Sequence, residues 1–249
     1  MEVGGTYLFL LAAGLVAGVI NVIAGGGSFI TLPILIFLGV PPGVANATNR
    51  VGIVAQDLAA VWSFDRKGVL DRRAAVWAAV PATVGAGLGA WLALRTSDAL
   101  FLEILQLLMV ALSLGSLWMP RRPSGGEARL GSSIGPLPTL GFFLAGVYGG
   151  FVQAGVGFLF LALTSILGLD LVRGNAVKVL SILPLTALAL AIFAWDGRVE
   201  WLTGGVLALG FLAGGLFGAR LTVLKGHRWV RAVVTATILV FALELLLAP

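Results

Sequence analysis

The chain contains no cysteine, a single histidine and only 11% charged residues. Without cysteine there are no disulfides, thiolate metal sites or cysteine nucleophiles. His227, the single histidine, lies in a basic stretch expected to link two apolar segments, so metal chemistry has almost no ligands and no metal or other cofactor is expected. Ser28 follows glycines, as some nucleophilic serines do, but no histidine or in-span pair of aspartates accompanies it, so the chain is not expected to be an enzyme. No Walker-type phosphate loop is present, which argues against ATP coupling within this chain. The pI near 10.4 raises nucleic acid as a partner, yet the Lys and Arg residues fall in short clusters between apolar stretches, the pattern of topology determinants, so no nucleic-acid role is expected.

What is present is apolar. Hydrophobic residues make up 59% of 249 positions and mean hydropathy is +1.05, which places the chain among all-α polytopic membrane proteins with the lipid bilayer as solvent. Met1-Glu2-Val3 lacks the basic start of a signal peptide and leads into too long an apolar run, so this end is expected to be retained.

One glycine run organises the rest. Gly25-Gly26-Gly27-Ser28 sits inside an apolar stretch from about residue 7 to 38, longer than the roughly 20 residues one crossing needs. Three consecutive glycines weaken a continuous helix, so two helical pieces meeting at a break are expected. Non-helical backbone at membrane depth is tolerated only where protein or a polar cavity satisfies it, which makes the break a binding-site candidate. Further spans are expected near 44–64, 74–94 and 99–119. A Pro, Gly and Ser-rich segment follows, and beyond it come a second long run at 137–168 and spans near 173–195, 201–222 and 229–247. The expected organisation is a first membrane repeat at 1–119, a linker at 120–136 and a second membrane repeat at 137–249. A shift of 129 positions superposes Gly26 on Gly155, Gly39 on Gly168, Asn46 on Asn175, Gly68 on Gly197, Gly85 on Gly214 and Gly89 on Gly218.

Charge decides between two topologies. If each long run crosses once, the loop Lys and Arg residues divide eight against six. If each is a re-entrant hairpin, they divide twelve against two, with Arg95 and Arg198 alone on the second side. The positive-inside rule therefore favours hairpins, both termini outside and the linker in the cytoplasm. Each half then holds one hairpin and three crossings, so the repeats are inverted, a design suited to alternating access with substrate at the repeat interface. All seven tryptophans fall near expected span ends, where an aromatic belt sits.

The two tips, Ala24 to Ser28 and Gln153 to Gly157, are expected to enter from opposite faces and meet near the midplane. In each, a helix starts just after the glycines, so unpaired N–H groups and a positive dipole end point inward, the elements of an anion site. The expected substrate contacts are Gly25, Gly26, Gly27, Ser28, Gln153, Gly155 and Gly157 at the tips, with Asn46, Asn49 and Arg50 in one following span and Asn175 and Lys178 in the other. Arg50 and Lys178 are the only cations left inside spans; each either pairs with the anion or caps neighbouring carbonyls. Asp57, two turns beyond Arg50, either carries a coupled proton or is a structural partner. Asn21, Thr31, Gln56, Tyr148, Thr164 and Ser181 are further candidates to line the cavity.

The motifs Gly14-x-x-x-Gly18, Gly25-Gly26-Gly27-Ser28-Phe29, Gly39-Val40-Pro41-Pro42 and Asn46-Ala47-Thr48-Asn49 resemble the first half of TauE/SafE-type permeases, also called the toluenesulfonate uptake permease family. Gly155-Val156-Gly157, Gly174-Asn175-Ala176-Val177-Lys178 and Asp196-Gly197 resemble the second half. The sequence departs from the common pattern at Ile23 and at the plainer second tip. The resemblance implies transport of sulfite or a small organosulfur anion across the bacterial inner membrane. A secondary anion transporter is the expected function, with a passive anion channel as the alternative. Proton or sodium remains open as the coupling ion, and a homodimer as the assembly.

Overall fold

The computed structural model describes residues 3–117 and 135–247, and among these all regular structure is helical. The helices are α1 (Val3–Ile23), α2 (Ser28–Phe37), α3 (Pro42–Arg66), α4 (Arg72–Leu94), α5 (Asp98–Leu117), α6 (Pro136–Phe151), α7 (Val156–Ile166), α8 (Leu171–Trp195) and α9 (Trp201–Leu247). The linker expected at 120–136 falls, up to residue 134, outside the described residues. The loop expected around His227 is replaced by a kink: α9 is helical through residues 201–247 except at Gly226, whose φ of 68° only glycine adopts cheaply. Among the described residues, four helical stretches are long and apolar enough to cross a membrane: Gly4–Ile23, Arg72–Leu94, Leu171–Trp195 and Trp201–Gly226. With 25 residues α3 has the length as well, but it carries Asn46, Asn49, Arg50, Gln56 and Asp57, all buried.

An offset of 129 residues relates several of the element bounds. Adding 129 to the limits of α3 gives those of α8, and adding it to the start of α4 gives the start of α9. Gly39 and Gly168 close the short helices α2 and α7 at φ of 90° and 85°, and Gly68 and Gly197 turn the chain after α3 and α8 at 66° and 72°. The tips deviate by one position, with positive φ at Gly25 in the first and Gly155 in the second.

Packing exchanges helices between the halves. Gly14 and Gly18 of α1 bring its backbone against Leu207, Phe211 and Gly214 of α9. Gly85 and Gly89 of α4 likewise receive α6 at Phe143 and Val147, while Gly146 and Gly150 of α6 lie on Ala82 and Ala86. Where lipid supplies no hydrophobic drive between helices, such small-residue faces let dispersion contacts hold them together. In both pairs residue numbers rise together, so the helices run parallel. The same holds for α3 with α9 (Gly52 on Phe211, Gln56 on Gly215) and for α4 with α8, where Ser181 donates to the Ala75 carbonyl and Leu188 touches Gly87. The equivalent helices α3 and α8 run antiparallel: Ala47 packs with Ala189 and Phe193 at one end, and Ala60 and Phe64 with Ala176 and Val179 at the other.

These directions sort the charges. Arg66, Lys67, Arg72, Arg73, Arg173, Arg220 and Lys225 lie toward one end of the helix array, whereas Arg95 and Arg198 lie toward the other. Arg66 stacks over Trp62 at 4.5 Å and Arg95 over Trp91 at 4.1 Å, a cation and an indole paired at each end. Both tryptophans are exposed, as belt residues facing lipid headgroups would be.

Candidate functional site

Each long apolar run folds into two antiparallel pieces. Ser28 and Thr31 of α2 both hydrogen-bond Asn49 of α3, and the connection from Phe37 to Pro42 is short, so α2 runs opposite to α3 and therefore to α1. The first tip spans residues 24–27 and the second residues 152–155. They meet: a Cβ on Gly25 would stand 2.5 Å from the Gly157 Cα, and one on Gly157 would strike the Gly25 backbone. Phe29 and Phe158, the residues just inside α2 and α7, approach with ring centroids 6.0 Å apart. Two helix N-termini therefore converge deep in the protein, with glycine at the crossing because no side chain fits there.

The same region holds the C-termini of α1 and α6, whose last carbonyls have no partners in their own helices. The two buried cations close them, each across the repeat boundary. Arg50 of α3 donates from Nη1 to the Gly149 carbonyl at 2.9 Å and to Gln153 Oε1 at 2.7 Å, and from Nη2 to the Gly150 carbonyl at 2.8 Å. Its guanidinium lies 5.0 Å from the centre of the Phe193 ring, and its Nε is buried without a partner. Lys178 of α8 donates to the Asn21 carbonyl at 3.0 Å, the Val22 carbonyl at 2.7 Å and Asn175 Oδ1 at 2.7 Å.

The paired asparagines complete the caps. Asn46 donates to the Phe151 carbonyl and accepts from the Gln153 N–H, while Asn175 donates to the Ile23 carbonyl. Gln153 is held further by Thr186, and the Tyr148 hydroxyl donates to the Ala154 carbonyl. The electrostatic sense is consistent: cations sit at the negative ends of α1 and α6, leaving the positive ends of α2 and α7 uncancelled.

These contacts bear on the two alternatives open for Arg50 and Lys178. An ammonium group has three donors, and all three of Lys178 are committed to protein oxygens, so it cannot also grip a ligand without breaking a cap. Arg50 retains its Nε and part of its fork. Both follow the carbonyl-capping alternative, although across the halves rather than to a neighbouring turn. Nor are they equivalent: Lys178 corresponds to Asn49 in the 129-residue register, and Arg50 to Val179.

The remaining candidates gather at the first tip. Thr31 Oγ1 donates to Asn49 Oδ1 at 2.7 Å, and Asn49 Nδ2 donates to Ser28 Oγ at 3.0 Å. Asn21 joins the Gly27 N–H to Gln56, and Gln56 donates to Asp57, whose second carboxylate oxygen is buried without a partner. Thr164 and Ser181 instead bond carbonyls of Leu161 and of Ala75 and Val177, as helix-joining residues do. Thr186 and Phe193 were not singled out by sequence. The repeat register offered a signal for the first, since Thr186 stands where Asp57 does in the other half; Phe193 had none.

Comparison with known proteins agrees with this architecture. The chain is similar over 241 residues to a probable membrane transporter protein of Haemophilus influenzae, at 32% identity covering 94% of this chain and 92% of that one. It is 30% identical over 241 residues to the probable membrane transporter protein YfcA of Escherichia coli, covering 96% and 88%. A probable membrane transporter protein, ORF9, of Sinorhizobium is 28% identical over 249 residues, covering 97% and 92%. No solved structure matches. The family model described as sulfite exporter TauE/SafE matches residues 10–245, and this chain therefore belongs to the TauE/SafE family of membrane transporters.

Proposed function

We propose that the protein is a secondary transporter of small anions, with sulfite or a small organosulfonate as the leading substrate class. It would work in the bacterial inner membrane by alternating access of two inverted repeats. The observation that carries this reading is the convergence of α2 and α7 at Gly25 and Gly157, with the competing helix C-termini neutralised by Arg50 and Lys178. Backbone N–H groups at two helix starts, the Ser28 hydroxyl and the Asn49 amide would bind the oxyanion; Arg50, Lys178, Asn46, Asn175 and Gln153 would hold the tips in place. The antiparallel relation of α3 and α8 supports inversion of the repeats, since an axis in the membrane plane reverses equivalent helices. Sulfite is the anion named in the family description, and the organosulfonates extend it to anions with the same sulfur–oxygen chemistry.

Thermal stabilisation of purified protein by sulfite, thiosulfate, sulfoacetate, phosphate and chloride tests binding without presupposing a direction of transport. Stabilisation by a sulfur oxyanion, followed by saturable flux of that anion into proteoliposomes, is the expected result. Silence across the panel would overturn the reading, and flux that rises linearly without saturation would replace the carrier by a channel.

A further inference from the structure

Asp57 is buried at 2% exposure in the middle of α3, and its Oδ2 has no partner. Its Oδ1 ends a hydrogen-bond chain whose every member donates in the same direction. The Gly27 N–H donates to Asn21 Oδ1 at 3.3 Å, Asn21 Nδ2 to Gln56 Oε1 at 3.2 Å, and Gln56 Nε2 to Asp57 Oδ1 at 2.9 Å. The chain thus begins at the first tip, on the residue preceding α2, and terminates on a carboxyl group. None of the capping contacts described above uses it.

We propose that Asp57 is a proton-binding site, and that its charge state is transmitted through Gln56 and Asn21 to the Gly27 N–H, so that proton and anion bind together. The inference rests on the anion-site reading above and specifies how that site is regulated. A chain of donors aimed at a carboxylate is polarised by it, each bond strengthening the next. With Asp57 ionised, the Gly27 N–H is held by Asn21 and withdrawn from the tip. Once a proton has added to the carboxylate, Oδ1 is a weaker acceptor, the chain slackens, and the Gly27 N–H is free to donate to an anion at the start of α2. The event is addition of one proton to one oxygen, with no other bond made or broken. Linkage makes the effect reciprocal: the proton tightens the anion and the anion tightens the proton.

The surroundings leave few competing groups. From α8 comes Lys178, whose ammonium is fixed on the carbonyls of Asn21 and Val22. From α1 comes Asn21, and α9 meets this stretch of α3 through Gly215, against the Gln56 backbone. On α3 itself, Arg50 lies two turns back and faces α6. Thr186 holds the position equivalent to Asp57 in the second half, so the proton site belongs to the first tip alone.

The test uses sulfoacetate and thiosulfate, which stay fully ionised around neutral pH, so that any pH dependence belongs to the protein. Wild-type affinity should rise as pH falls, approaching about tenfold per pH unit, the limit for one linked proton. Asp57→Asn, which resembles the protonated carboxyl, should bind independently of pH at the acid-side affinity. Gln56→Leu should also lose the pH dependence while keeping the carboxyl. A pH dependence that persists in either variant overturns the proposal. Infrared difference spectra of anion-free protein separate the two readings: a titrating carboxyl band present in wild type and Gln56→Leu but missing from Asp57→Asn supports the proton site, and its absence from wild type overturns it. If that band is present while neither anion binds, the anion reading fails and the proton site stands.

Discussion

Lys178 shows how sequence can mark a residue as unusual while leaving its partner out of sight. A cation inside an apolar span demands a partner, and sequence offers an anion as the simplest one. The structure supplies the carbonyl end of another helix instead, a partner that spacing along the chain cannot reveal because it lies 156 residues away. Capping and ligand binding predict different measurements. Replacing Lys178 by Met leaves buried carbonyls of α1 without donors, at a cost of about 2 kcal/mol, so anion-free protein should melt lower than wild type. A direct ligand would leave anion-free stability unchanged or improved, since a buried charge is removed with nothing stranded. Thermal melts of the two proteins in the same detergent, without added anion, decide between them.

At the scale of elements, the two hairpins depend on one close approach. Gly157 lies in α7 against the Gly25 backbone, where no flexible side chain can yield, so Gly157→Ala must push the tips apart. Overpacking of this kind costs about 1–3 kcal/mol, and here it falls on the site itself. Anion affinity should drop at least about tenfold, the equivalent of 1.4 kcal/mol. Gly205→Ala, within α9 and facing open space, should bind as wild type does, because alanine favours helix and meets nothing there. Comparison of sulfoacetate affinities checks both; equal affinities would show that the tips do not form the site.

Much at this scale was legible. Three consecutive glycines weaken a helix, so the first break was visible directly and the second through the 129-residue register, and apolar length located the helices to within a few residues. The asparagine pair was legible through the repeat register. What each polar group touches was not, because Asn46, Arg50, Asn175 and Lys178 all reach across to the opposite repeat. The break between the spans expected at 201–222 and 229–247 was legible too, but clustered cations there suggested a longer loop than the single non-helical residue Gly226.

At the scale of the whole molecule, helix directions bear on orientation in the membrane. Had the long run 137–168 crossed once, Arg173 would stand with Arg95, opposite Lys67. The antiparallel packing of α3 and α8 instead puts the start of α8 level with the end of α3, so Arg173 and Lys67 share an end. Because cytoplasmic loops carry the cation excess, we propose that this end faces the cytoplasm and the end bearing Ser97 the periplasm. The absence of native cysteine makes this directly measurable, since a single introduced thiol is the only one present. Lys67, Ser97 and Arg173 are all exposed, so each accepts cysteine without disturbing the core. A membrane-impermeant maleimide applied to intact cells should label Ser97→Cys and leave Lys67→Cys and Arg173→Cys unlabelled until the membrane is opened. Arg173→Cys is the decisive position: labelling it together with Ser97→Cys would mean that the second long run crosses the membrane, which would overturn the inverted repeats that the proposed alternating access requires.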